Sequence, residues 1–186
     1  MEATTQVTQS IVDEFVGVCH GNAARVRELL AEYPELATTD ASWIETPIQA
    51  AAQLANREIA DMLIERGAPI DICTAAVVGM KDKVEEMLSA DPALRSATGA
   101  HGIPVLYFPV VGGHKDIAEI LLAAGADVNA GAGGTTPLHG AAMFNRKEMA
   151  EGLLANGADP ILPNYEGKTA KQVAEEGGKT DVAEVL

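Results

Sequence analysis

Apolar residues recur at helical spacing in short segments along the chain, and a turn follows each segment. In one such segment Ile117, Ile120 and Leu121 lie on one face of a helix. Gly125 follows, and glycine tolerates the left-handed backbone that the end of a helix requires. The pattern predicts a chain of short amphipathic helices that are separated by regularly placed turns.

The helical segments repeat at a fixed offset. Gly67, Gly125 and Gly157 end three similar segments, and the second interval between them is little more than half of the first. A second pair of similar segments begins at Gly21 and Gly79, whose separation equals that of Gly67 and Gly125. Two independent series with one shared offset indicate a double unit that occurs twice. The chain is therefore predicted to consist of about six helix-turn-helix units.

The predicted units follow an N-terminal tail of residues 1–10. Their boundaries fall at about residues 11–38, 39–70, 71–96, 97–129, 130–162 and 163–186. The first helix of each unit is expected near residues 13–20, 47–54, 72–78, 105–111, 137–144 and 170–176. A second helix follows each first helix after a short turn.

Two motifs identify the kind of repeat. Residues 136–139 read Thr-Pro-Leu-His and precede an alanine pair, and residues 125–129 read Gly-Ala-Asp-Val-Asn. With a period of about 33 residues, these motifs resemble the ankyrin repeat family. Partial matches at residues 46–51 and 167–170 extend the resemblance over roughly residues 11–186. The resemblance implies an all-α repeat fold, an ankyrin-repeat solenoid with hairpin fingers.

The Thr-Pro-Leu-His motif is expected to build the scaffold. Thr136 suits the cap of a first helix, and Pro137 suits the first turn, where its missing N–H is not needed. The resemblance implies that His139 bonds to the adjoining turn and that His114 has a structural role. The motif therefore predicts architecture and no chemistry.

Two departures from the repeat are predicted to alter the surface. Asp91, at the equivalent turn of the third unit, lies much nearer in sequence to Gly67 than to Gly125, so no hairpin finger is expected between the second and third units. Pro109 stands inside the fourth first helix, where the family carries alanine. Because proline in a helix interior removes a hydrogen bond, this helix is either kinked or begins late.

Composition and charge narrow the class of partner. The 186 residues carry a net charge of −14 and no basic cluster, which disfavours nucleic acid and anionic membranes. No signal peptide and no membrane-spanning stretch is apparent. Cys19 and Cys73 are expected to be buried free thiols, because units one and three are too far apart for a disulfide. These features predict a cytoplasmic protein.

The histidines offer no evident catalytic or metal site. His20 and His139 belong to units four layers apart, so they cannot share a substrate or a metal. His101 lies in a loop, and a single loop histidine without a positioned partner is a weak catalyst. We therefore predict no catalytic residues, no metal, no cofactor and no enzymatic activity.

The predicted function is that of a non-catalytic protein-protein interaction module. By resemblance, a partner binds at the concave face, on the exposed ends of the first helices, and on the finger loops. The residues predicted to contact another protein are Trp43, Gln53, Leu54, Val78, His101, Ile103, Val111, Met143, Phe144 and Tyr165. This strip is almost uncharged until the last unit, and contiguous apolar surface commonly marks a contact site. The opposing interpretation is that these side chains pack between the fingers as core.

Two other functions stay open at this point. The unusual fourth unit could form a pocket for a small apolar ligand or an enzyme site, with reactivity from His101 and Tyr107. The chain could also be one segment of a larger assembly, since Val182, Val185 and Leu186 are poorly covered by the last unit. The identity of the partner and the oligomeric state are not determined by the sequence.

Overall fold

The computed structural model describes residues 7–43 and 45–186, and α-helices joined by tight turns make up this part of the chain. The helices are α1 (Gln9–Cys19), α2 (Ala23–Glu32), α3 (Pro47–Gln53), α4 (Arg57–Ile64), α5 (Ile72–Val77), α6 (Lys81–Ala90), α7 (Tyr107–Gly112), α8 (Lys115–Ala123), α9 (Pro137–Met143), α10 (Lys147–Ala155), α11 (Ala170–Glu176) and α12 (Thr180–Ala183). Helix α1 begins at Gln9, inside the predicted tail of residues 1–10, and residues 1–6 of that tail lie outside the described residues. The helices form two compact units, which divide after Ile70.

The first unit contains α1 to α4. Helix α1 packs on α2 and α3, and α3 packs on α4. Phe15 and Val16 of α1 and Leu29 and Leu30 of α2 are buried, as the helical spacing of these apolar residues requires. A 3₁₀ segment, Pro34–Thr38, leads from α2 toward α3.

The second unit contains α5 to α12, arranged as successive helix pairs. The first helices of the pairs, α5, α7, α9 and α11, contact one another in that order. Small residues permit close approach: a Cβ atom at Gly140 of α9 would lie 2.7 Å from the ring of Tyr107 of α7. Ala141 and Ala142 of α9 are also completely buried. The all-α repeat fold is confirmed, and its core consists mainly of aliphatic residues.

Threonine caps three of the first helices, and the cap geometry explains the repeated motif. The capping residues are Thr46 for α3, Thr136 for α9 and Thr169 for α11. In each helix the Thr Oγ1 accepts from the backbone N–H three residues later, and that residue bonds back to the cap. The predicted role of Thr136 and Pro137 at a helix start is confirmed.

Pro109 does not kink a helix, because α7 begins late. The helix starts at Tyr107 rather than near residue 105, which places Pro109 in the first turn. The N–H of Tyr107 donates to the oxygen of Pro104 at 2.9 Å, and the N–H of Phe108 donates to the oxygen of Val105 at 3.2 Å. A turn over residues 104–107 therefore replaces the first part of the expected helix.

The finger loops differ in length between the helix pairs. Residues 65–71 connect α4 to α5, whereas the longer stretch of residues 124–136 connects α8 to α9. The connection between α4 and α5 is too short for a finger, as predicted. The finger of residues 97–105 is a short antiparallel loop. In it the N–H of Gly99 donates to the oxygen of Ile103, and the N–H of Val105 donates to the oxygen of Ala97, both at 2.9 Å.

Candidate functional site

The finger of the first unit presents a tryptophan. Trp43 is 45% exposed in the finger loop between the 3₁₀ segment and α3, and Leu54, at the end of α3, is 44% exposed. The loop is attached to α1, because the backbone N–H and the Oγ–H of Ser42 donate to the Asp13 carboxylate at 2.8 and 3.0 Å. Hydrogen bonds from Gln9 and then from Ser42 hold the pKa of Asp13 below its usual value. The hydrogen bonds between Ser42 and Asp13 therefore hold the loop that carries Trp43 against α1.

A buried carboxylate lies beneath Trp43. Glu45 is only 1% exposed, and its Oε2 accepts from the indole N–H of Trp43 at 2.7 Å. Its Oε1 accepts from the side-chain amide of Gln53 at 2.5 Å, and His20 Nε2 lies 3.5 Å from the same oxygen. Burial, and then the negative charge of Glu45, raise the pKa of Cys19 to about 12. We call Trp43, Glu45, Gln53 and His20 the Glu45 cluster.

The Glu45 cluster gives Gln53 a structural role. The sequence predicts a strip that is almost uncharged before the last unit, with Gln53 as a direct contact for a partner. In the structure the Gln53 amide donates to the buried carboxylate of Glu45, a residue of the same strip. The spacing of Trp43, Glu45 and Gln53 carries no motif that would have revealed this arrangement.

The second unit exposes two further large apolar side chains. Met143, the last residue of α9, is 43% exposed, and Phe144 after it is half-buried. Tyr165 is 73% exposed in the finger of residues 164–168, where its N–H donates to the oxygen of Gly134 at 3.1 Å. In the finger of residues 97–105, His101 is exposed and Ile103 is half-buried. All of these side chains are exposed or partly exposed, as their positions in the repeat predict.

Val78 and Val111 are wrongly placed in the predicted contact set, because both are buried. Helices α5 and α7 pack so closely that a Cβ atom at Gly112 would lie 2.5 Å from the carbonyl oxygen of Val77. His114 Nε2 lies 3.1 Å from the same Val77 oxygen, at the contact between α5 and α7. For these two valines the opposing interpretation, core packing, is correct.

The structure also places the residues of the proposed reactive pocket. A cleft of about 230 Å³ lies beside the fourth unit and is lined by residues that include Arg95, Thr98 and Asp127. It is smaller than the roughly 300 Å³ at which ligand pockets usually begin. Neither His101 nor Tyr107 lines it. Tyr107 is buried, and burial raises the pKa of its phenol to about 12, so the phenol stays protonated at neutral pH.

Other candidate chemistry is also limited in the described residues. Cys19 and Cys73 are buried free thiols, as predicted. Among residues 7–43 and 45–186, no three His, Cys, Asp or Glu side chains come together in a way that could hold a metal ion. Within the same ranges no helix is both long and apolar enough to cross a bilayer.

Comparison with known proteins agrees with the geometry. The family model for three copies of the ankyrin repeat matches residues 72–164, and the single-repeat model matches residues 45–75. BCL-6 corepressor-like protein 1 of Homo sapiens is 34% identical over 131 residues, which are 70% of this chain and 7% of that protein. A Rickettsia felis protein named for its ankyrin repeats is 29% identical over 123 residues, which are 65% of this chain and 44% of that protein.

These matches cover most of this chain but only part of each relative. The chain spans less than half the length of either protein, so the match concerns the repeats and not the remainder of those proteins. The three-copy model extends over half of the sequence and includes the capped helix α9. The chain belongs to the ankyrin repeat family, whose repeats are generally protein-interaction modules.

Proposed function

We propose that this chain is a non-catalytic interaction module that binds another protein through its finger loops and the exposed ends of its first helices, the concave face in this family. One observation carries the proposal. The large apolar side chains that are exposed in the described residues are Trp43, Leu54, Met143, Ile161 and Tyr165. All but Ile161 occupy positions predicted to face a partner.

The chemistry of these side chains supports a protein partner. Tryptophan, tyrosine and methionine are enriched in protein interfaces, where they supply large contact areas. In the first unit the proposed contact residues are Trp43 and Leu54, with Gln53 as a supporting residue. In the second unit they are His101, Ile103, Met143, Phe144 and Tyr165. Val78 and Val111 are not part of the proposed surface, because they are buried.

The class of partner follows from the charge of the chain. A net charge of −14 opposes binding to nucleic acid, whose phosphates require lysine and arginine. We also propose a reducing compartment such as the cytoplasm, which the unpaired thiols of Cys19 and Cys73 support. The names of the relatives and the family favour an interaction module over an enzyme.

Affinity capture with matched variants tests the proposal. One variant combines Trp43→Ser with Leu54→Ser, and a second combines Met143→Ser with Tyr165→Ser. Ile161→Ser is the control, because Ile161 is 75% exposed but lies outside the proposed surface. We expect the wild type and the control to retain the same protein, and at least one double variant to lose it.

Direct binding then quantifies the effect. With the captured protein purified, calorimetry should show that the affected double variant binds about tenfold or more weakly, as expected for interface anchors. Circular dichroism establishes that each variant keeps its helices. Equal affinities for the wild type and both double variants would place the binding surface elsewhere and refute the proposal.

A further inference from the structure

The indole of Trp43 is exposed, but its hydrogen-bonding group is already used. The indole N–H can only donate, and it donates to Oε2 of Glu45 at 2.7 Å. Because Glu45 is 1% exposed, the edge of the ring that carries the N–H faces a buried carboxylate. The hydrogen-bonding group of Trp43 is therefore engaged, and the rest of the indole ring consists of carbon.

Burial of Glu45 requires compensation from its neighbours. A carboxylate that leaves water is costly unless donors satisfy its oxygens. Trp43 supplies one donor to Oε2, Gln53 supplies one to Oε1, and His20 lies 3.5 Å from Oε1. These three residues come from the finger, from α3 and from the end of α1, so Glu45 connects the finger to both helices.

Hydrogen bonds also hold other residues of the loop that carries Trp43. The N–H of Ala41 donates to the oxygen of Glu45 at 2.8 Å, which closes the loop. Ser42 donates twice to Asp13 of α1. These bonds hold residues 41, 42 and 45, and the bond from the indole N–H to Glu45 restricts the orientation of the Trp43 ring.

We propose that Glu45 is a positioning residue for partner recognition: it holds the Trp43 indole in one orientation, so that the carbon face of the ring, and not its N–H, meets the partner. This inference rests on the proposed function. Fixing one large side chain before binding strengthens an interface by about twofold to tenfold. The partner group at Trp43 is then an apolar surface and not a hydrogen-bond acceptor.

The experiment uses Trp43 as its own probe, because the chain contains one tryptophan. Its indole N–H therefore gives a single indole signal in a ¹⁵N–¹H spectrum, and fluorescence excited at wavelengths that tyrosine does not absorb reports Trp43 alone. In the wild type we expect the indole N–H to exchange with solvent about tenfold or more slowly than in free N-acetyltryptophanamide. Exchange at the free rate in the wild type would overturn the inference.

Three variants separate positioning from general stability. Glu45→Ala should lose the slow exchange and lower the fluorescence anisotropy, while Glu45→Gln should keep much of both, because its amide oxygen still accepts from the indole. Glu32→Ala, at an exposed glutamate of α2, is the control and should match the wild type. A folded Glu45→Ala with wild-type exchange and anisotropy would also overturn the inference. If Glu45→Ala does not fold, the exchange rate in the wild type decides.

Failure of this inference is distinct from failure of the proposed function. These measurements need no partner, so a mobile indole would remove the role of Glu45 and leave the binding surface intact. A slowly exchanging indole together with equal partner binding by the wild type and both double variants would have the opposite meaning: the proposed binding surface would be refuted, and the bond between Trp43 and Glu45 would stand.

Discussion

The imidazole of His139 joins two neighbouring repeats, with its Nε2 3.0 Å from the backbone oxygen of Lys168. Because a carbonyl oxygen only accepts, Nε2 carries the proton, and Nδ1 accepts from Thr136 Oγ1 at 2.7 Å. The neutral ring is thus bonded on both sides while it is buried. The bond to the adjoining turn, which the family resemblance implied, is confirmed.

We expect His139→Ala to lower the free energy of unfolding by about 1–3 kcal/mol, because it leaves buried polar groups without partners. The Lys168 oxygen and the Thr136 hydroxyl would both lose the imidazole. Urea denaturation followed by circular dichroism measures the change. Lys171→Ala, at an exposed position of α11, is the control and should stay within about 0.5 kcal/mol of the wild type. An equally small effect of His139→Ala would contradict the prediction.

The same histidine predicts a dependence of stability on pH. Burial lowers the pKa of His139 below 6.5, although the bond to the Lys168 oxygen acts in the opposite direction. The unfolded chain therefore binds the proton more readily than the folded chain, and the stabilisation present above pH 6.5 is lost as the pH falls through the folded pKa. We expect the stability difference between the wild type and His139→Ala to shrink between about pH 7 and about pH 5.5. A difference that is constant over this range would be inconsistent with a lowered pKa.

The repeat itself could be predicted from the sequence because single residues determine its local geometry. Thr136 and Pro137 start a helix through a cap and a fixed φ, and these effects depend on neighbours in sequence. Pro109 shows where such reasoning stops. The proline rule excludes a helix interior but does not choose between a kink and a late start. In the structure a turn over residues 104–107 delays the start of α7 to the buried Tyr107, so the helix begins late and is not kinked.

The candidate surface was predictable only in part. The position within the repeat was enough to expect exposure of Trp43 and Met143. The burial of Val111 depends on how closely α5 and α7 approach, which the glycine at position 112 permits. The bond between Glu45 and Gln53 depends on where a loop and a helix place two side chains. The separation of α5 from α7, and that of Glu45 from Gln53, cannot be calculated from the spacing of these residues in the sequence.

Thr74→Val should stabilise the protein. Thr74 of α5 is completely buried, and its hydroxyl has no hydrogen-bond partner within the part of the chain that the structure describes. Valine keeps the shape and removes the unsatisfied oxygen, so we expect a gain of about 1 kcal/mol in the free energy of unfolding. Thr136→Val is the matched comparison and should lose about 1 kcal/mol, because the hydroxyl of Thr136 caps α9. The prediction fails if both substitutions destabilise the protein.

Ala55→Gly should also stabilise the protein. Ala55 lies in the turn between α3 and α4 with a φ of 50°, whereas the corresponding turns after α5 and α7 use Gly79 and Gly113. A left-handed backbone costs alanine about 1–2 kcal/mol. Glycine removes this cost, but it also raises the conformational entropy of the unfolded chain, which offsets part of the gain in stability. We expect a net gain of about 0.5 kcal/mol in thermal or urea unfolding. Ala31→Gly, in the last turn of α2, should give no such gain, because the helical backbone there holds no left-handed strain to relieve.

Cys19 and Cys73 should not react with a thiol reagent while the protein is folded. Burial raises both pKa values, that of Cys19 to about 12, and the charges of Glu45 and Asp71 act in the same direction. The reactive thiolate is therefore scarce near pH 8, and the sulfur atoms are not accessible.

We expect Ellman's reagent to label both thiols in urea and to label the native protein about 100-fold more slowly, through local opening. Ser89→Cys, at an exposed position of α6, is the positive control and should react at once in the native state. Rapid native labelling of one equivalent in the wild type would show that one of the two helix pairs opens easily. Since the charge of Glu45 acts on Cys19, the protection of Cys19 also reports whether the packing around that carboxylate persists in solution.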